Sequence, residues 1–177
     1  ALITNLFDKI QNQDVWIILN QTFQDNLEEL QDLFAEFVPN EKIVLYKTPH
    51  HTNEANIQNT QRSQIAKMIR EQFISLLSPD LLFITSLFEG YHDDAVVSIK
   101  EFAPDIKTVV ILYDLIPLIH PNDYLKTPEQ KKYYATKIND LKQADMLLAI
   151  SNASKQEAIN ELEYDSAKII NIQAAVE

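Results

Sequence analysis

Asp114 is the residue in this 177-residue sequence whose setting most suggests chemistry. It follows the apolar run Val109–Tyr113 and precedes Leu115, Ile116 and Pro117. A carboxylate in apolar surroundings has a raised pKa unless it is paired. That suits a proton acceptor or a group that orients a hydroxyl. A simpler role stays open beside it, a capping aspartate that fixes the turn before Pro117. Other polar residues also stand directly after apolar runs: Asn20, Lys47, Thr85–Ser86, Tyr113 and Ser151, with Glu89 close by. Hydroxyls and carboxylates in one rim suit a polyhydroxylated ligand such as a sugar, because carboxylates accept hydrogen bonds from hydroxyls.

The remaining polar clusters are read more plainly. His92-Asp93-Asp94 looks like a metal cluster, but adjacent carboxylates also complement the dipole of a helix start. Metal ligands normally converge from wider spacing, so no metal is expected. His50-His51 lies in a polar stretch and is read as solvated. His120, beside Pro121, is a candidate for a cleft, with a surface role as the simpler alternative. Ser151 and Ser154 open a helix, where hydroxyls serve as caps. A helix N-terminus is also an anion site that can face a nucleotide phosphate or its sugar. Lys126, Lys131, Lys132 and Lys137 form a basic patch, read as a solvated face, with membrane-surface contact as the minor alternative.

The elements that must position these residues follow from periodicity. Leu2, Leu6 and Ile10 share a helical face at the start, and Val15–Leu19 is a continuous apolar run. Phe23, Leu27, Leu30, Phe34 and Phe37 recur at helical spacing, with Thr22 as the expected N-cap. Ile43–Tyr46 reads as a strand. Ile65, Ile69, Phe73 and Leu76 mark a long helix stopped by Pro79. Leu81–Ile84 is the next strand, and a helix is expected from near Asp93 to just before Pro104. Thr108–Tyr113 is the strongest strand. Thr127, Pro128 and Gln130 supply cap, N1 proline and capping-box partner for a helix, which Tyr134, Ile138 and Leu141 carry inward. Met146–Ile150 is a strand, Ser154 with Glu157 offers another capping box, and Ile169–Ile172 is the last strand. Strands that are apolar throughout are buried on both faces. Alternating with helices, they imply an α/β fold with a Rossmann-like, doubly wound parallel sheet, whose ligands sit at the carboxyl ends of strands.

Composition bounds the partners. The chain carries 26 acidic against 15 basic side chains, a net charge of -11, and 46% of it is hydrophobic. Such an excess of acid argues against nucleic acid, which basic surfaces bind by neutralising phosphates, and against adsorption to anionic lipid. There is no cysteine, so disulfides and thiolate metal sites are excluded. No apolar run approaches the roughly 20 residues that cross a bilayer, and the start does not read as a secretory signal. A soluble cytoplasmic domain is the resulting expectation. The one glycine, Gly90, rules out a Walker loop and a GxGxxG loop within residues 1–177.

Several segments resemble bacterial retaining glycosyltransferases of family four, the GT-B group. They are Ser86-Leu87-Phe88-Glu89-Gly90 with Asp93-Asp94-Ala95-Val96, Tyr113-Asp114-Leu115-Ile116-Pro117-Leu118-Ile119-His120-Pro121, and the run from Leu141 to Glu157. The tail Ile169–Val176 resembles the last strand and hinge before a second domain. The resemblance spans nearly the whole chain, in the family's order, and is closest to mannosyltransferase-like members of surface-polysaccharide pathways. It implies that residues 1–177 are the N-terminal, acceptor-side domain of a GT-B fold. It also implies that the family's opening strand and glycine loop, and the donor-binding domain with its paired glutamates, are absent, so that the fragment alone is inactive. The partners implied are a sugar acceptor and, through the C-terminal domain, a nucleotide-sugar donor, with no resident cofactor.

Retaining transfer in this family is drawn as a front-face displacement in which the leaving phosphate takes the acceptor proton. By resemblance, Asp114 orients the acceptor hydroxyl or stabilises developing positive charge on the sugar. Ser86, Glu89 and Gly90 line the acceptor pocket, and Ser151 faces the cleft. Many relatives carry a histidine where this chain has Tyr113, so a histidine contact to the reacting sugar is not expected here. That substitution leaves a second reading open, a non-catalytic GT-B-like binding or scaffold domain of a larger polysaccharide-assembly protein. A receiver domain fits poorly, because the last strands end in Ser151 and Gln173 rather than in lysine.

Overall fold

The computed structural model describes residues 13–23 and 25–173. The expected opening helix, with Leu2, Leu6 and Ile10, lies outside them, as does the tail beyond Gln173. The chain forms two compact units, residues 1–49 and 50–177.

In the first unit, β1 (Ile17–Asn20) pairs in parallel with β2 (Ile43–Tyr46), in a register running from Ile17 against Ile43 to Asn20 against Tyr46. Between them lies α1 (Leu27–Ala35), whose N-cap position is held by Asn26. The expected cap, Thr22, has another task. It is buried, its hydroxyl donates to the Thr48 carbonyl (2.9 Å), and it accepts from the Thr48 N–H (3.2 Å). Thr22 therefore joins the two strand ends, while Glu28 and Glu29 complement the dipole in the first turn of α1.

The second unit is a Rossmann-like α/β fold. Its parallel sheet has the order β3 (Leu82–Ile84), β4 (Thr108–Leu112), β5 (Met146–Ala149), β6 (Ile169–Asn171). The helices are α2 (Thr60–Leu77), the single turns α3 (Ile116–Ile119) and α4 (Pro121–Tyr124), α5 (Pro128–Gln143) and α6 (Asn152–Leu162). Every residue of β4 is buried, as its unbroken apolar run requires. The core gathers Val110, Leu112, Leu147 and Ala149 of the sheet with Ile138 and Leu141 of α5 and Ala158 and Leu162 of α6. Helix α5 starts as its sequence specifies: Thr127 accepts from Gln130 N–H, and the Gln130 side chain accepts from Thr127 N–H.

The helix expected from Asp93 to Pro104 does not form. Residues 85–107 run without helix or strand, and buried charges on α2 and α5 serve the backbone groups that a helix would have paired internally. Glu71 accepts from Ser98 Oγ (2.5 Å) and from the N–H groups of Glu101 (3.3 Å), Phe102 (2.6 Å) and Ala103 (2.8 Å). Arg70 donates to the Ser98 carbonyl (3.1 Å) and Lys137 to the Val97 carbonyl (2.6 Å). Buried backbone groups must find partners, and here tertiary hydrogen bonds win over local helix propensity. The consequence is visible on α2. It buries Lys67, Arg70 and Glu71, while Ile65 (46%) and Leu76 (83%) of its apolar stripe stay exposed.

Two aspartates pin the rest of this segment. Asp94 accepts from the N–H groups of His51 (2.8 Å), Thr52 (2.8 Å) and Asn53 (3.3 Å), and Thr52 Oγ returns a bond to the Asp94 carbonyl. Burial pushes the Asp94 carboxyl up, but these donors outweigh it and hold it below its ordinary value of 3.8. Asp145 accepts from Lys100 Nζ (2.8 Å) and Thr108 N–H (2.7 Å). Here too the donors outweigh burial and keep the carboxyl low. Gly90 (φ +92°) sits in a left-handed conformation so close to the Ala95 carbonyl that a Cβ would lie 2.2 Å from its oxygen, so a side chain is excluded there on both counts. Among the described residues, no helix is long and apolar enough to cross a membrane.

Two outcomes are expected. Glu71→Leu should lower unfolding stability by about 3–5 kcal/mol, since it strands buried donors, and should accelerate hydrogen exchange at Phe102 and Ala103. Unchanged stability in a denaturant titration would contradict the anchoring role. The Asp94 and Asp145 carboxyls are depressed by folding. Their contribution is therefore whole above the ordinary value of 3.8 and is lost as pH falls through their folded values. Stability should drop below about pH 4, and the double variant Asp94→Asn, Asp145→Asn should flatten that drop.

Candidate functional site

Parallel strands in register bring their carboxyl ends to one edge of the sheet. In the second unit, Leu112 lies against Ala149, and Ala149 against Asn171. Ile84 of β3 pairs with Val110, two residues before the end of β4. The segments after β3, β4 and β5 therefore emerge on the same side, carrying Ser86–Gly90, Tyr113–Asp114 and Ser151–Ser154. Asn20 and Lys47 stand at the ends of β1 and β2 in the other unit, where Asn20 Nδ2 donates to Thr48 Oγ (2.9 Å).

Ser86 donates its hydroxyl to Glu89 Oε1 (2.5 Å), and the Glu89 side chain is exposed. That proton is then committed, which leaves Glu89 with acceptor capacity toward solvent. The loop is held from below by Tyr133 of α5, whose hydroxyl donates to the Glu89 carbonyl (3.1 Å), and by Glu54 N–H, which donates to the Gly90 carbonyl (2.9 Å). Tyr133 is kept protonated for this task. Burial first, then the charges of Glu54, Glu89 and Asp93, hold its phenol above the ordinary range.

Asp114 does not sit in the apolar setting that its flanking residues suggested. It is exposed, because Leu115 takes the buried position and turns the preceding carboxylate outward. Its Oδ1 accepts from Ile116 N–H (3.0 Å), the turn-fixing role expected of a capping aspartate. Oδ2 has no hydrogen-bond partner among the described residues and faces solvent chemistry. The neighbouring Leu115 N–H donates to Glu157 Oε2 of α6 (3.1 Å). Glu157 thus braces the turn after β4 and is not the capping-box partner of Ser154.

The helix start lies three residues earlier than that box implied. Ser151 is the N-cap of α6 and accepts from Ser154 N–H (3.0 Å). Ser154 is buried and donates its hydroxyl to the Tyr113 carbonyl (2.5 Å). Ser154 has one hydroxyl proton, so the 3.0 Å contact between the two hydroxyls is donated by Ser151. Ser154 is therefore a tie between β4 and α6, while Ser151 is partly exposed at the helix N-terminus. Tyr113, directly above this tie, exposes half of its surface.

Electrostatics connect these groups. Phe88 packs on Tyr134 with ring centroids 5.2 Å apart. Burial, and then the Asp114 charge, push the Tyr134 phenol up. Adjacent tyrosines of α5 thus feel Glu89 on one side and Asp114 on the other. His120 is exposed at the junction of α3 and α4, and no side-chain hydrogen bond links it to these groups. Lys137 leaves the expected basic patch altogether: it is buried, with its amine on the Val97 carbonyl. Asp93 and Asp94 are spent on backbone N–H groups, and the described residues hold no cluster of three metal-ligating side chains.

Sequence reasoning missed Tyr133 and the pairing of Asp94 with residues 51–53, and gave Glu157 a capping role in place of its bond to Leu115 N–H. The spacing of Tyr134, Ile138 and Leu141 on α5 signalled burial of that face, but nothing local marked the distant carbonyl that Tyr133 meets or the N–H groups that Glu157 and Asp94 meet.

No protein-family model matches the chain, and no solved structure matches it. Curated relatives do. The chain is 31% identical over 163 residues to a serotype-specific mannosyltransferase WbdA of Escherichia coli, covering 92% of this chain and 20% of the relative. A second protein of that name, also from Escherichia coli, is 31% identical over 177 residues, 99% of this chain and 21% of the relative. The chain spans about one fifth of the length of the curated relatives it matches. Over nearly its whole length the chain is thus similar to one fifth of these mannosyltransferases.

Proposed function

We propose that this chain is the acceptor-binding domain of a glycosyltransferase that moves a sugar from a nucleotide-sugar donor to a glycan or lipid-linked acceptor in surface-polysaccharide synthesis. The observation that carries the reading is the 31% identity to mannosyltransferases over 92–99% of the chain. The strand-end rim supports the acceptor side of it. Glu89 and Asp114 offer exposed carboxylate oxygens to hydroxyls, Ser151 adds a partly exposed hydroxyl, and half-exposed Tyr113 offers an amphipathic ring on which a sugar can rest.

In the proposed reaction the bond between the donor sugar and its phosphate breaks as the acceptor oxygen attacks. The acceptor proton passes to the leaving phosphate. Asp114 holds the attacking hydroxyl by its Oδ2 and places it against the reacting carbon, so that its contribution is orientation and charge stabilisation. Its Oδ1, bonded to Ile116 N–H, fixes the carboxylate plane. Ser86 holds Glu89, and the Tyr133 and Glu54 contacts hold the loop that carries both.

In the full-length protein, Asp114→Asn should lower kcat/KM for transfer by about 10²–10³-fold with little change in the KM for nucleotide sugar. Turnover equal to the parent protein would remove Asp114 from the reaction and favour a non-catalytic scaffold domain, the reading that Tyr113 in place of a histidine also suits.

A further inference from the structure

The buried charges that hold residues 85–107 leave one acceptor unprovided for. Asp140 of α5 is 5% exposed, and its Oδ2 is buried with no hydrogen-bond partner among the described residues. Charged groups face it from each neighbouring element. Lys137 lies one turn earlier on α5, α2 contributes Lys67 and Glu71, and the segment contributes Glu101. Arg70 and Glu54 act on Lys137 in turn, and Glu129 and Lys132 line the groove beside Asp140.

Both buried lysines are in use. Lys67 Nζ pairs with Glu54 (3.1 Å) and more loosely with Glu101 (3.9 Å). Lys137 precedes Asp140 by three residues, a spacing at which side chains on a helix meet. Its amine nevertheless donates to the Val97 carbonyl (2.6 Å) and stands 5.6 Å from the centre of the Tyr133 ring, within cation–π range. A buried carboxylate without a donor is costly when ionised and far less so when neutral. Burial accordingly pushes the Asp140 carboxyl up to about 6, against the pull of Lys137 and Lys67 and with the help of Glu101 and Glu71. Burial also pushes the Lys137 amine down, to about 8, so it stays charged while Asp140 titrates.

An arrangement in which Lys137 serves Val97 and Asp140 goes without suits a neutral Asp140. Once ionised, Asp140 competes with the Val97 carbonyl for the same amine. We propose that Asp140 is a proton-operated latch on residues 85–107: with a solvent proton on its carboxyl, Lys137 is left to hold the Val97 carbonyl, and loss of that proton draws the amine toward Asp140 and loosens the segment. The effect reaches the Ser86–Gly90 loop, because Tyr133, whose ring lies beneath the Lys137 amine, holds the Glu89 carbonyl. The latch is independent of what that loop binds. Folding raises the Asp140 carboxyl above its ordinary 3.8, so its contribution to stability is whole below that value and is lost as pH rises through about 6. Asp94 and Asp145 act in the opposite sense and at lower pH.

The test is a carbon-detected magnetic resonance titration of the full chain between about pH 4.5 and pH 7.5, the range that brackets the Asp140 transition. It follows the Asp140 carboxyl carbon and the Val97 carbonyl carbon, whose shift reports the bond from Lys137. Both should move with one midpoint, well above the ordinary carboxyl value. Hydrogen exchange at Phe102 and Ala103, corrected for its intrinsic pH dependence, should quicken about tenfold across that midpoint, the equivalent of one pKa unit. Asp140→Asn should hold the Val97 shift at its acid value throughout and remove the change in exchange. An Asp140 carboxyl that titrates at its ordinary value would overturn the latch. So would a Val97 shift that ignores the Asp140 transition, or one that keeps its pH dependence in Asp140→Asn. The first two outcomes are read on the unaltered chain, so the latch stays testable even where the variant folds poorly.

Discussion

Residues 85–107 cross from β3 to β4 with no helix or strand of their own, and their buried backbone groups still need partners. Glu71, Arg70 and Lys137 supply them, each from within a helix that buries charge to do so. Much of the second unit follows from that constraint. Helix α2 turns Lys67, Arg70 and Glu71 inward at the expense of its apolar stripe, and α5 buries a lysine beside an aspartate. A buried charge is tolerated only when its hydrogen bonds are complete. Glu71 meets that condition with four donors, whereas Asp140 does not.

The same segment carries the Ser86–Gly90 part of the rim. Its position depends on contacts remote in sequence: Tyr133 on the Glu89 carbonyl, Glu54 on the Gly90 carbonyl, and Asp94 on residues 51–53. The turn after β4 is fixed likewise, by Glu157 on Leu115 N–H and Ser154 on the Tyr113 carbonyl. The exposed carboxylates of Glu89 and Asp114 thus stand on braced backbone. That is how a loop can hold a group well enough to orient a substrate.

The strands were legible because unbroken apolar runs leave few alternatives: β2, β4, β5 and β6 lie where Ile43–Tyr46, Thr108–Tyr113, Met146–Ile150 and Ile169–Ile172 were read. So was the start of α5, whose cap, proline and capping-box glutamine are contiguous. The failures share a cause. Thr22, Asp93–Asp94 and Glu157 have side chains suited to helix starts, yet each bonds a backbone group in a loop or strand end instead. Local sequence records the capacity to cap, not the competing partner that the fold supplies. Asp114 fails the same way: its neighbours in sequence are apolar, but Leu115 takes the buried place and the carboxylate points out. Ser86, Tyr113 and Ser151 lie just beyond the strand ends, where they were read, because the position after a buried strand is set by the sheet itself.

The central claim is that this domain holds the acceptor and not the nucleotide sugar. Its most direct test is calorimetric titration of the chain with lipid-linked and oligosaccharide acceptors on one side and nucleotide sugars on the other. Magnetic resonance would assign the responding amides. The account predicts acceptor binding with shifts at residues 86–90, 113–116 and 151–154, and no measurable binding of nucleotide sugars. Tight nucleotide-sugar binding at those residues, with no response to any acceptor, would contradict it.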